Sequence, residues 1–176
     1  MKNAYILALS LLAIPALADN NKGFYLGIGA SSVNDEQDFP VDTTSIRTGE
    51  IFGGYKYNNA LGVELRLGSG AKEGISKDKT IAREIGNYQS IYYKPELVND
   101  DAKLYALLGY TKISSTMNLN IANPASFEFS YSGFSYGVGI GFVINEHFNI
   151  NFEYKNICED LYNKPNTASV NFDYRF

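Results

Sequence analysis

T-A-S-V-N-F-D-Y-R-F, residues Thr167 to Phe176, alternates without a break. In an extended strand Ala168, Val170, Phe172, Tyr174 and Phe176 share one face, while Ser169, Asn171, Asp173 and Arg175 share the other. One face is apolar and aromatic, the other hydrophilic and charged. The same pattern recurs through the chain, so a single decorated strand in a soluble sheet does not account for it. Taken with the N-terminus described next, it predicts a sheet whose outer face meets lipid.

Residues 1–18 read as a signal peptide. Lys2 supplies the positive start, Ala4 to Ile14 the apolar stretch, and Ala16-Leu17-Ala18 the cleavage site, so the mature chain is expected to begin at Asp19. That apolar run is too short for a spanning helix, which needs about 20 apolar residues. With 176 residues, residues 19–176 form one expected domain. Mean hydropathy of −0.19 excludes a helical membrane bundle. A strand barrel tolerates such polarity because only alternate residues face lipid. The acidic balance, with a pI near 5.0, gives no support for nucleic-acid binding. The single Cys158 cannot form an internal disulfide and reads as a strand-end residue.

Taken in order, the alternation predicts eight strands. The first runs from Gly23 to about Val33, with Phe24, Leu26, Ile28 and Ala30 outward. An acidic loop follows from Asn34 to Ser45. The second strand points Ile51, Gly53, Tyr55 and Tyr57 outward, turns at Asn58-Asn59, and continues into a third with Leu61, Val63, Leu65 and Leu67 outward. Ser69 to Asn87 reads as a long loop of mixed charge. A fourth strand (Ile91, Tyr93 and Leu97 outward) turns at Asn99-Asp100-Asp101 into a fifth (Leu104, Ala106, Leu108, Tyr110). Ser115 to Ala125 reads as an uncharged loop, and the sixth strand runs from about Phe127 to Ile144. Asn145-Glu146-His147 turns into the seventh (Phe148, Ile150, Phe152, Tyr154), and Cys158 to Asn166 is the last loop.

Long connections alternate with short turns. The expected fold is therefore all-β: an eight-stranded antiparallel up-and-down transmembrane β-barrel with both termini periplasmic. Closure has a physical cause, since an open edge in lipid leaves backbone groups unpaired at several kcal/mol each. Tyr55, Tyr57, Phe142, Phe148, Tyr174 and Phe176 fall near the periplasmic strand ends and suit an aromatic girdle.

The strand pattern, the Ala16-Leu17-Ala18 leader, G-G-Y-K-Y-N-N-A-L-G-V-E-L-R (Gly53–Arg66), L-Y-A-L-L-G-Y (Leu104–Tyr110) and the terminal Phe176 resemble the small eight-stranded OmpA/OmpX-type outer membrane barrels, the porin-family "outer membrane protein beta-barrel domain". The resemblance implies a bacterial outer membrane location, contact with its lipids and lipopolysaccharide, and a monomer. It also implies that Phe176 is read by the barrel-assembly machinery. Some relatives modify lipid A, using a His and a Ser. Here the lone His147 falls in a turn and no H-x-S-N stretch occurs, so no enzyme is expected.

The inward positions carry Glu50, Lys56, Glu64, Arg66, Lys94, Glu96, Lys103, Glu153, Lys155, Asp173 and Arg175. An eight-stranded barrel is just wide enough for side chains to fill, so these charges are expected to pair as a polar plug; the alternative is a narrow ion path. Gly133-Phe-Ser135-Tyr-Gly137 matches the nucleophile-elbow pattern but lies inside a strand with no helix after it. Gly137, Gly139 and Gly141 share a strand face and are expected to make room for Tyr25, Tyr92 or Tyr105. No cofactor or metal site is expected; Asp35–Asp42 lacks the spacing of a calcium loop. Function then falls to the extracellular loops, as a structural or surface-interaction role toward a host or other surface ligand, with a small passive pore as the alternative.

Overall fold

The computed structural model describes residues 22–35, 44–75, 81–119, 125–159 and 165–176. The leader, with its proposed cleavage between Ala18 and Asp19, and residues 36–43 of the acidic first loop lie outside them. Eight antiparallel strands close on themselves: β1 (Gly23–Asp35), β2 (Thr44–Asn58), β3 (Leu61–Lys72), β4 (Ile81–Val98), β5 (Ala102–Leu119), β6 (Ala125–Val143), β7 (Phe148–Glu159) and β8 (Asn166–Arg175). A two-residue piece, Gly74–Ile75, continues β3 and pairs with Ala82 and Arg83. Each strand pairs with its sequence neighbours, and β1 closes on β8.

Register explains why the alternation in the sequence becomes a barrel wall. Phe142 pairs with Ile150, Ile150 with Phe172, Phe172 with Ile28, Ile28 with Ile51, and Ile51 with Leu67. Outward residues therefore lie shoulder to shoulder around the barrel, and a one-residue slip would turn every charge outward. Three short turns share one device. Asn58, Asn99 and Asn145 each accept two backbone N–H bonds through Oδ1: from Ala60 and Leu61, from Asp101 and Ala102, and from His147 and Phe148, at 2.7–3.0 Å. These are Asx turns, so the side-chain acceptor is what asparagine contributes here. Both described chain ends lie at this turn end, where the Phe176 N–H donates to the Phe24 carbonyl over 3.1 Å. The aromatics meet there too: Tyr55 lies 4.7 Å from Phe24 and 5.2 Å from Tyr57, and Tyr174 lies 5.0 Å from Phe148 and 5.1 Å from Phe176.

At the opposite end the structure corrects the sequence reading. Asn34 and Asp35 belong to β1, and Thr44 and Ser45 to β2. Ser69–Lys72 extends β3, and Ile81–Asn87 opens β4, so much of the expected second loop is strand. Ser115–Leu119 belongs to β5, Cys158 and Glu159 to β7, and Asn166 to β8. A crossing takes about 9–11 residues. β5 has 18 residues and β6 has 19, so both continue well past one crossing. β7 pairs with β6 only as far as Phe134, whereas β5 pairs with it up to Ala125. Residues 81–88, 113–119 and 125–133, with Gly74–Ile75 on the β4 edge, thus form a small sheet that starts at the barrel mouth and continues past the last β6–β7 pairing.

Candidate functional site: a plugged lumen and a projecting sheet

The lumen is built by alternate residues, and all eleven charged positions on the inward faces are buried. Arg66 on β3 stands at the centre. Its guanidinium holds Glu153 through two bonds (2.7 and 2.8 Å), Glu50 at 2.7 Å and Glu64 at 2.5 Å. Each carboxylate takes a tyrosine hydroxyl as well: Tyr88 donates to Glu50 (2.6 Å), Tyr25 to Glu64 (2.7 Å) and Tyr105 to Glu153 (2.7 Å). Lys155 bonds Glu50 and Lys94 bonds Glu64, both at 2.9 Å. Toward the turn end a second tier joins Lys56 to Glu96 (2.7 Å) and Lys103 to Asp173 (3.0 Å). Arg175 reaches Asp173 at 3.5 Å, and Asn149 and Asn151 donate to the same carboxylate. Charges taken out of water cost several kcal/mol each unless paired and hydrogen-bonded. Here five carboxylates and six cations share one packed lattice.

Above the charges the lumen becomes apolar. Val33, Ile46, Ile85, Tyr88, Ile113, Ile157 and Cys158 form one buried cluster toward the open end. Cys158 lies at the end of β7, as expected, and is fully buried within this plug, its Sγ 3.9 Å from the Thr111 carbonyl. The sequence reading missed the plug, although Ile113 and Ile157 share the parity of Lys103 and Lys155 and carried the signal.

The glycines do make room, for Tyr105 at Gly139 as expected and for lysine stems at Gly137 and Gly141. A Cβ on Gly139 would strike the Tyr105 ring; Tyr25 lies against Gly54 and Tyr92 against Gly109; Gly137 faces Lys155 and Gly141 faces Lys103. Overpacking a filled interior costs about 1–3 kcal/mol. Gly139→Val should therefore destabilise the refolded barrel by that much and lower its urea midpoint accordingly. Gly49→Ala, whose new methyl would meet only the Gly29 carbonyl at 4.0 Å, should leave the midpoint unchanged or slightly raised. Urea titration followed by circular dichroism checks both.

Ser135 is buried mid-strand on β6, 2.6 Å from the Tyr92 hydroxyl and donating to the Asn156 carbonyl over 2.7 Å. His147 stacks on Tyr174 at the turn end (5.4 Å between centroids), so the two share no site. Among the described residues no His, Cys, Asp and Glu cluster could hold a metal.

On the projecting sheet the alternation changes sense. Its outer face carries Glu84, Thr116, Glu128 and Ser130; the face turned over the barrel mouth carries Ile85, Ile113, Met117, Phe127, Phe129 and Tyr131. Phe127 and Phe129 stack at 6.5 Å, each about half exposed, while Tyr131 packs on the plug. The aromatic stripe is thus an outward continuation of the lumen's apolar cluster.

The outer membrane protein beta-barrel domain model matches residues 4–176. The chain belongs to this family. Its location is accordingly the bacterial outer membrane. Three solved structures show the same fold. Ail, the attachment invasion locus protein of Yersinia pestis, is similar with a TM-score of 0.66 at 21 % identity, over 89 % of this chain and 99 % of that one. OprG from Pseudomonas aeruginosa gives 0.60 at 16 %, over 92 % and 99 %. Neisserial surface protein A gives 0.58 at 12 %, over 88 % and 97 %. A comparison with curated proteins finds no match.

Proposed function

We propose that this barrel is a closed, non-enzymatic scaffold that holds its projecting sheet at the cell surface as a contact site for an extended polypeptide. The observation that carries the reading is the pair Phe127 and Phe129, about half exposed on a strand whose described partner is β5 alone between Ala125 and Gly133. An exposed strand edge accepts an added strand through its backbone, and side-chain pockets on its face select the sequence. Apolar rings above the membrane are otherwise a liability. The Ail structure from Yersinia pestis holds a heparin analogue. Here Glu128 and Glu84 lie in register, either side of Thr116, on the face of the sheet opposite the rings, a poor match for sulfate, which favours a polypeptide. The charge-packed lumen under an apolar plug supports a scaffold over a conducting pore.

The test is adhesion of cells expressing the barrel to host-cell monolayers and to immobilised extracellular proteins. Expression should raise adhesion, and Phe127→Ser with Phe129→Ser should remove roughly nine-tenths of the gain at equal surface display. Equal adhesion by the double variant, or no gain from the natural chain, would overturn the reading.

A further inference from the structure

From Ala125 to Gly133 β6 pairs with β5 in unbroken register, while on its other side β7 leaves it at Phe134, the rim of the wall. The departure has a local cause. Opposite Ser135 the strand β7 bulges, and Ile157 and Cys158 turn together into the plug between the pairs Tyr136–Asn156 and Phe134–Glu159. A bulge bends its strand and breaks the ladder. Ser126 to Ser130 are then exposed without interruption, on both faces of β6. Natural sheets protect such an edge with lysine, proline, a bulge or an inward-pointing charge. A-S-F-E-F-S-Y-S-G, residues 125–133, has none of these: its one charge is Glu128, on the outer face.

That charge decides what the edge accepts. Across the sheet Glu128 is in register with Thr116 and then Glu84, and among the described residues neither carboxylate has an ion pair. The row therefore ends at the open edge on an unbalanced negative charge. A strand added there sets one residue directly against Glu128, with Cβ atoms about 4.5–5.5 Å apart. The residues before and after it point to the other face, against Phe127 and Phe129. Opposite charges and apolar side chains on aromatic rings are the favoured pairs at those places. A second copy of this edge does not supply them. Every register that keeps ring face on ring face sets Ser126, Glu128, Ser130 or Ser132 against Glu128, and none of these is a cation. We infer that the edge selects an extended polypeptide carrying an apolar-basic-apolar triplet, its lysine or arginine against Glu128 and its apolar pair against Phe127 and Phe129. The inference rests on the reading of this edge as a polypeptide contact, and adds which polypeptide it takes.

The test measures fluorescence anisotropy of capped, labelled peptides against the whole barrel in phosphatidylcholine nanodiscs. The first probe is Thr-Val-Thr-Val-Lys-Val-Thr-Val-Thr; the others replace its lysine with glutamine or glutamate. The lysine peptide should bind about threefold more tightly than the glutamine peptide and about tenfold more tightly than the glutamate peptide. Glu128→Lys should reverse that order, and as an exposed change it should leave the heat-dependent gel shift of the closed barrel intact. Phe127→Ser with Phe129→Ser should weaken all three peptides by about tenfold or more. Alternate backbone nitrogens of the lysine peptide are also methylated, in the two possible patterns. One pattern should abolish binding and the other spare it, because alternate residues of an added strand face the ladder. Equal affinity for the three peptides, still lost in Phe127→Ser with Phe129→Ser, would overturn the charge selection and leave the polypeptide contact standing. An order unchanged by Glu128→Lys would overturn the selection too. Full binding in both methylation patterns would overturn the strand register that places the triplet. No binding by any peptide would overturn the contact itself, and the inference with it.

Discussion

Replacing Arg66 with methionine should lower the unfolding free energy of the barrel by about 3–5 kcal/mol, the cost of leaving buried charge without its partner. The guanidinium is fully buried and, among the described residues, is the one group that touches Glu50, Glu64 and Glu153 together. Without it three carboxylates face one another inside a wall that water does not reach freely. Lys94 and Lys155 remain, but each already serves its own glutamate at 2.9 Å. Methionine keeps an apolar stem of similar length, though it gives up the guanidinium that lies 4.9 Å from the Phe52 ring centroid. The loss therefore reports charge more than volume. Adding Glu153→Gln to Arg66→Met should recover a substantial part of it, since the bidentate partner is then neutral. Lys72→Met, an exposed change on the same strand, should stay within about 0.5 kcal/mol of the natural chain. Equilibrium urea unfolding in detergent or lipid vesicles measures all three. An Arg66→Met barrel as stable as the natural one would mean that the lumen charges are solvated and the lattice carries little energy.

The sequence shows the barrel wall and its inward charges because one constraint governs both. Where a strand crosses lipid, parity alone assigns each residue to hydrocarbon or lumen, as Val170 and Phe172 against Asn171 and Asp173 make plain. Parity could not say which charge meets which. Arg66 and Glu153 lie 87 residues apart, and Lys155 and Glu50 lie 105 apart; they meet only across the closed lumen. Beyond the crossing the constraint is lifted, so the pattern that marks a strand disappears although the strand continues. Ser114, Thr116, Ser126 and Ser130 face outward, and the rings of Phe127 and Phe129 fall on the inner parity, so a stretch of ladder resembles a loop. Register shifts between Ile85 and Asn87 and between Arg47 and Thr48 break the count further, which is how Ile85 and Tyr88 escaped notice as members of the plug.

The place where the lipid constraint ends sets the second large effect. Val138 lies on the outer face of β6, flanked by Ala106 on β5 and Tyr154 on β7, midway between Phe134 and Phe142. It is 59 % exposed, to lipid if the wall spans a membrane and to water if it does not. Val138→Arg should cost about 2–4 kcal/mol in vesicles, the depth-dependent cost of a cation at the bilayer midplane of a barrel, falling to about 0–1 near the interface. Ser130→Arg, on the same outer face of the same strand but beyond the Phe134 rim, should cost about 0–1 kcal/mol by the same depth dependence. Both positions are exposed β-strand sites, so strand propensity and packing alone give them similar penalties. Only a hydrocarbon slab that ends between them separates the two. Urea unfolding in phosphatidylcholine vesicles reads the difference. Equal and small costs would mean that the face bearing Val138 does not lie in lipid. A large cost at Ser130 as well would move the membrane boundary outward and submerge the base of the projecting sheet.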